Sequence, residues 1–277
     1  HKNEYRFKLK EIRHNVVREV LIKYKVKQKL EISYSADLPA LSGLGSSSAF
    51  TVAMIKGIRQ MMKMKKLSNK KLLKEALEVE HKILKESSGS QDQAAAVYGG
   101  FNVINFYKKN IKVISLKKYF NKLSKLNKYM TLVFSNIQRY ASKIEKDKIK
   151  NIKKNKRLYN SLYETSCRAE KIFINEKKIL NEFIKLINEN MMQKKHLSKK
   201  VLNVRLDNLI KKGLKNGASA AKILGAGGGG FILFISKSTN HKKKLENKLK
   251  NYIIVNFKFI KKMPEIEGAI SSLWNTL

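Results

Sequence analysis

Two small-residue breaks constrain this chain more than any other feature: "LSGLGSSSAF" at 41–50 and "GAGGGG" at 225–230. They interrupt a sequence otherwise dominated by Lys, Ile, Leu and Asn. Neither break can sit inside a regular helix or strand without cost, because glycine loses the most backbone freedom on folding. Each must therefore mark a connection, and the flanking patterns say of which kind. "KLEISYSADLP" (29–39) alternates apolar and polar residues, which predicts a half-buried strand. From Ser48 to about Lys63, Phe50, Met54, Ile58 and Met61 recur at spacings of four and three, which predicts one face of a helix. The first break is thus read as a strand–loop–helix junction.

A helix start of this kind carries backbone N–H groups without intrahelical partners and a partial positive charge from the helix dipole, so it suits an anion such as phosphate. Gly43 and Gly45 let the loop curl closely, and Ser46, Ser47 and Ser48 add hydroxyls for phosphate oxygens or a metal ion. Ordinary capping needs only one serine, and both readings stand on this segment alone. The segment is not a Walker loop, since no Lys follows its last glycine. The second break satisfies G-x-G-x-x-G, but the strand-like "FILFIS" follows it where a dinucleotide-binding unit needs a helix. It reads either as a glycine-rich turn between a helix and a strand or as a close backbone approach to a ligand.

A second helix is predicted from about Asn69 to Glu86, stopped by "SSGS" (87–90). Leu73, Ala76, Leu77, Ile83 and Leu84 form its apolar stripe, and Glu80 falls on that stripe. A buried carboxylate is costly unless it meets a cation, a donor or a ligand. Asp92 follows twelve residues later in "SGSQDQAAAVYGG" (88–100). It reads either as a cap for the short "QAAAVY" helix or as a base that deprotonates a hydroxyl during phosphoryl transfer. "FNVINFY" (101–107) and "MTLVFSNI" (130–137) read as strands, and about 145–215 as mostly long helices. Strands and helices in this order predict an α+β protein of two lobes, 1–120 and 121–277.

Net charge is +39, with 60 Lys and Arg against 21 Asp and Glu, which raises the question of nucleic acid. Only eight of the basic residues are Arg, and the lysines are spread along the whole chain without aromatic interleaving. That pattern argues for a solvated coat and against a specific nucleic-acid partner. No apolar run is long enough to cross a membrane, and "HKNEYRFKLKEIRH" has no apolar signal core. The single Cys167 excludes an internal disulfide and suits a reducing, cytoplasmic setting. The chain opens on His1 and not on Met, as a fragment would. Nothing in the composition speaks to oligomeric state.

Taken together, "LPALSGLGSSSAFTV", "GSQDQAAAVYGGFNVINF" (89–106) and "GASAAKILGAGGGGFILF" resemble the three motifs of the GHMP kinase superfamily, and within it the heptose-phosphate kinases. The likeness runs over nearly the whole chain, in order. It implies a ribosomal-S5-like N-terminal lobe, a ferredoxin-like C-terminal lobe and an ATP-dependent sugar kinase. The expected acceptor is the anomeric hydroxyl of D-glycero-D-manno-heptose 7-phosphate, feeding nucleotide-activated heptose for surface glycans. Fucose- or galactose-type kinases are the alternative, and a basic nucleic-acid-binding protein is the alternative from another class. The resemblance implies that Gly43, Leu44, Gly45, Ser46, Ser47 and Ser48 wrap the ATP phosphates and that Ser47 and Glu80 hold Mg²⁺. It implies Asp92 as the base. Gly225, Gly227, Gly228 and Gly229 would steady a substrate-side loop, and Arg139 or Lys222 would pair with a substrate phosphate. The family opens with a strand and a glycine-rich, Asp-bearing segment that contacts the sugar. Nothing here resembles that segment, so the sequence is expected to start after it.

Overall fold

The computed structural model describes residues 3–260, apart from positions 37, 40, 41, 87, 88, 109, 139, 140, 176 and 177. These residues form two compact units, and the first break straddles them. Residues 3–35 and Gly45–Ser115 lie in the first unit, and Ala36–Leu44 and Leu116–Phe259 in the second.

The first unit packs α1 (Asn15–Lys23), α2 (Ser46–Met61), α3 (Asn69–Leu77) and α4 (Gln91–Tyr98), followed by a hairpin of β1 (Asn102–Phe106) and β2 (Ile111–Ser115). Its core is built on Val20, Val52, Ile55, Ala76, Val79 and Ala94. Ser68 caps α3, its hydroxyl accepting from the Lys71 amide. The second predicted helix does not run unbroken to Glu86. After Leu77 it widens into a π-helical turn, Glu78–Ile83, an irregularity often found at functional sites.

One expectation for this unit needs correcting, and another needs widening. Residues 29–39 form no strand among those described, and among the described residues the unit's only sheet is the β1–β2 hairpin. A strand is made by pairing, and alternation reports only half-burial. Here the alternating residues lean on a helix: Ile32 and Tyr34 border a shallow groove of about 480 Å³ along α2, and the Tyr34 ring meets Phe50 edge-on at 4.8 Å. Helix α2 buries Met54 and Ile58 of the predicted stripe, with Phe50 and Met61 packed against the same core, but its buried face is wider than that stripe. Ser48, Thr51, Val52 and Ile55 are buried as well, and Phe50 also lines the groove. Small polar residues at positions 48 and 51 disguise the core face.

The second unit contains α5 (Phe120–Leu126), β3 (Met130–Phe134), α6 (Ala141–Lys150), α7 (Lys156–Asn175), α8 (Ile179–Leu197), α9 (Val204–Lys215), β4 (Ala220–Ile223), β5 (Phe231–Ile235), α10 (Thr239–Lys248) and β6 (Ile254–Val255). The strands form one antiparallel sheet in the order β4-β5-β3-β6. Helices carry the chain from β3 to β4 and from β5 to β6, which is the interleaved βαββαβ path of a ferredoxin-like domain. Val133, Ile232, Phe234, Ala221 and Ile223 share the face that packs with Leu206, Leu209, Leu245 and Leu249. The glycine run 225–230 therefore joins two adjacent strands. It is the turn of a hairpin, where a helix-to-strand connection was one expectation. Among the described residues no helix is long and apolar enough to cross a membrane.

Candidate active site

In the first unit the geometry centres on the start of α2. Gly45 caps the helix with a left-handed backbone, φ +74°, and has no side chain to offer the first amides. A Cβ there would lie 3.2 Å from the Asp92 Cγ and 3.4 Å from Oδ2. Glycine thus satisfies two demands together, the positive φ and the close approach of a carboxylate. Asp92 is exposed in the first turn of α4, whose N-cap is Ser90, so Asp92 is not the cap. Its carboxylate rests against the positive end of the α2 dipole, where a negative charge is favoured.

Beneath lies Glu80, fully buried within the π-helical turn. Its Oε2 accepts from the Ser48 hydroxyl at 3.0 Å and from the Gln93 side-chain amide at 2.5 Å. The other oxygen, Oε1, and the Gln93 Oε1 are both buried without a hydrogen-bond partner. Buried orphan acceptors are rare in folded proteins, and two on side chains that are hydrogen-bonded to each other invite a cation. Among the described residues there is no group of three or more His, Cys, Asp or Glu side chains. The protein thus offers one buried carboxylate and neutral oxygens. That set fits Mg²⁺, which keeps waters and shares substrate phosphates and seldom occupies an all-protein cage. Ser48, and not Ser47, reaches Glu80. Ser46 and Ser47 are exposed at the helix start, and the Ser47 carbonyl accepts from Thr51. Sequence reasoning missed Gln93, although it was legible as a polar residue on the buried face that also carries Ala94 and Val97.

The second unit holds the other half of the predicted residues. Gly43 and Leu44 belong here, and the Leu44 side chain packs with Leu132, Phe134 and Phe231, so that side chain serves the core. The loop from Leu224 to Gly230 is tied down at several points. Gly228 donates its amide to the Val201 carbonyl at 2.7 Å, and the Asn203 side chain donates to the Gly228 carbonyl at 3.2 Å. Gly230 bonds Ile137 and Ser135, and a Cβ on it would sit 2.0 Å from the Ser42 carbonyl oxygen. Ser42 and Gly230, one from each glycine-rich segment, are thus in contact. Lys222 lies in a cross-strand row with Leu233, Leu132 and Val255. Desolvation holds its amine's pKa below the usual lysine value, and no ion pair offsets it. Arg139 lies outside the described residues.

Residues 11–100 match the GHMP kinases N terminal domain, and residues 175–254 match the GHMP kinases C terminal region. The two matches together cover more than half of the chain, in the family's order. The chain belongs to the GHMP kinases. A D-glycero-alpha-D-manno-heptose 7-phosphate kinase from Campylobacter jejuni is 31% identical over 208 residues, which are 74% of this chain and 60% of that protein. A bifunctional fucokinase/GDP-fucose pyrophosphorylase from Arabidopsis thaliana is 25% identical over 230 residues, 80% of this chain and 21% of that protein. The chain therefore spans less than two thirds of the length of either relative. A crystal structure of a D-glycero-D-manno-heptose 1-phosphate kinase from Bacteriodes thetaiotaomicron superposes with a TM-score of 0.65 at 24% identity, over 90% of this chain and 71% of that one. It supports the GHMP kinase fold. Within that fold the Glu80 cluster falls in the N-terminal match, and the tethered glycine loop in the C-terminal match.

Proposed function

We propose that this GHMP kinase chain transfers the γ-phosphate of ATP to the anomeric hydroxyl of D-glycero-D-manno-heptose 7-phosphate. The observation that carries the reading is the buried Ser48–Glu80–Gln93 cluster under the open start of α2, with Asp92 against Gly45. The amides of α2 and the serine hydroxyls bind the triphosphate. Glu80 and Ser48 would hold Mg²⁺, which when bound neutralises charge on the phosphates. Asp92 takes the proton of the sugar hydroxyl as its oxygen bonds to the γ-phosphorus and the bond to ADP breaks, an assistance typically worth about 10²–10⁴-fold. Most of the remaining rate comes from positioning. The 31% identity to a heptose 7-phosphate kinase supports the acceptor. The product would carry phosphate at both ends, a form suited to supplying nucleotide-activated heptose for surface glycans in the cytoplasm.

A fucose-type acceptor is the second reading, favoured by the 25% match to a fucokinase-containing protein. The test is ADP release with Mg·ATP and a panel of heptose 7-phosphate, fucose, galactose and mannose, with Asp92→Asn alongside. Turnover confined to the heptose phosphate and lost in the variant is expected. Turnover on an unphosphorylated sugar would replace the acceptor. Turnover that survives in Asp92→Asn would remove Asp92 from its role.

A further inference from the structure

The buried stripe of α8 runs through Ile184, Ile187 and Met191, and its next turn carries Lys194. An ammonium in that position is costly unless its donors are filled. The Lys194 Nζ donates to the Ile223 carbonyl at 2.7 Å and to the Gly225 carbonyl at 2.5 Å. Ile223 is the last residue of β4, and Gly225 is the first glycine of the loop. The lysine therefore grips the loop where it leaves the sheet. Val201 and Asn203, just beyond the end of α8, hold the same loop further along at Gly228. Packing alone does not call for a cation here. Met or Leu would complete the stripe, and well-packed apolar residues commonly match or exceed a buried charge in stability.

We infer that Lys194 is a positioning residue for the kinase reaction: it fixes the take-off of the glycine loop and sets a positive charge at its base, which favours a phosphate-bearing acceptor. This role rests on the proposed reading of that loop as substrate-side. Fixed backbone donors and a fixed charge need no reorganisation when an anionic ligand arrives. Through its bonds to the Ile223 and Gly225 carbonyls the lysine acts on the loop.

Three variants separate its functions. Lys194→Arg keeps charge and donors, Lys194→Gln keeps donors without charge, and Lys194→Met keeps only the stem. Two measurements are made on each: steady-state kinetics with separate KM values for ATP and sugar phosphate, and hydrogen exchange of the 224–230 amides. For Lys194→Gln the expected result is a several-fold higher KM for the sugar phosphate with the ATP KM unchanged. Lys194→Arg should stay near wild type. Lys194→Met should lose kcat/KM on the order of 10²-fold, as misplaced catalytic geometry does, and should speed exchange within 224–230 selectively. A Lys194→Met protein that keeps wild-type kcat, both KM values and loop exchange, whatever its melting temperature, would overturn the inference. If Lys194→Met does not fold, an unchanged sugar-phosphate KM in Lys194→Gln overturns it equally. Should the wild type turn over no sugar, the kinase reading fails, and the exchange arm still decides the clamp: selective acceleration supports it, and none refutes it.

Discussion

Ser48 and Glu80, 32 positions apart, share a 3.0 Å hydrogen bond where neither side chain reaches solvent. The bond ties the first turn of α2 to the π-helical turn and leaves Glu80 Oε1 without a partner. A carboxylate kept in that state costs stability, and an amide of the same shape removes the charge while still accepting from Ser48 and Gln93. Glu80→Gln is therefore expected to fold as well as the wild type or better, melting at the same or a higher temperature. Its kcat should fall on the order of 10²–10³-fold, and its Mg²⁺ requirement should rise. Calorimetry beside a Mg²⁺ titration of ADP release checks both. A parallel fall in stability and activity would make Glu80 a structural residue.

The Glu80 position was legible because a charged residue on an apolar helical stripe breaks the pattern that places it. Lys194 breaks the α8 stripe in the same way, but in so lysine-rich a stretch one lysine on a buried face does not stand out from the many on exposed faces. Ser48 was harder. The apolar stripe through Phe50, Met54 and Ile58 marks part of the core face of α2, which also runs through Ser48, Thr51 and Ile55. Periodicity finds apolar residues and overlooks a core face begun by small hydroxyls. The strand expected at 29–39 shows a second limit, because alternation cannot supply the neighbour with which a strand pairs. The contact between Ser42 and Gly230 could not be read at all. It joins distant segments through backbone atoms, which leave no trace in side-chain pattern.

That contact yields a paired prediction. A methyl group on Gly230 would meet the Ser42 carbonyl at 2.0 Å, and the residue's φ of +79° already disfavours any side chain. Gly230→Ala should cost about 2 kcal/mol or more, combining the left-handed penalty of roughly 1–2 kcal/mol with a backbone clash. Gly57, inside α2, has nothing within 4 Å of its Cβ position. Gly57→Ala should stabilise by roughly 0.5–1 kcal/mol through helix propensity alone. Urea denaturation of both variants reads the two signs directly. Equal effects would show that the Ser42–Gly230 approach does not hold in solution.

Lys222 should trade stability for binding. Its amine is held below the usual lysine pKa of 10.5 by desolvation. Between the lowered folded value and 10.5 the unfolded chain binds the proton more tightly, so the wild type gains stability as pH rises through that window. At neutral pH the charged amine opposes folding. Lys222→Met is therefore expected to raise the denaturation midpoint at pH 7, and the gain should shrink as pH approaches 10.5. The same variant should raise the KM for a phosphorylated sugar if Lys222 is the phosphate partner that the family resemblance implies, and an unchanged KM would remove it from that role. A gain in midpoint that is flat with pH would place the stabilisation in packing and not in the charge.

Tyr24 supplies the opposite sign. Burial, then the hydrogen bond its hydroxyl donates to the Glu75 carboxylate, pushes its pKa up to about 12, while Arg59 lies over the ring at 5.7 Å and partly offsets the shift. The folded protein thus favours the neutral phenol, whose ordinary pKa is 10.0. The stabilisation is fully present below pH 10 and is lost as pH climbs toward 12. Replacing the residue by Phe removes the hydroxyl and its bond to a charged acceptor, which should cost roughly 1–2 kcal/mol at pH 8. Lysines also lose charge at high pH, but they do so in both proteins alike, so the difference between the two isolates the tyrosine. That difference should therefore close between pH 10 and 12, measured by urea denaturation at stepped pH with phenolate absorbance followed in parallel. A gap that persists to the top of the window would mean that the Tyr24–Glu75 bond does not set the stability of the first unit.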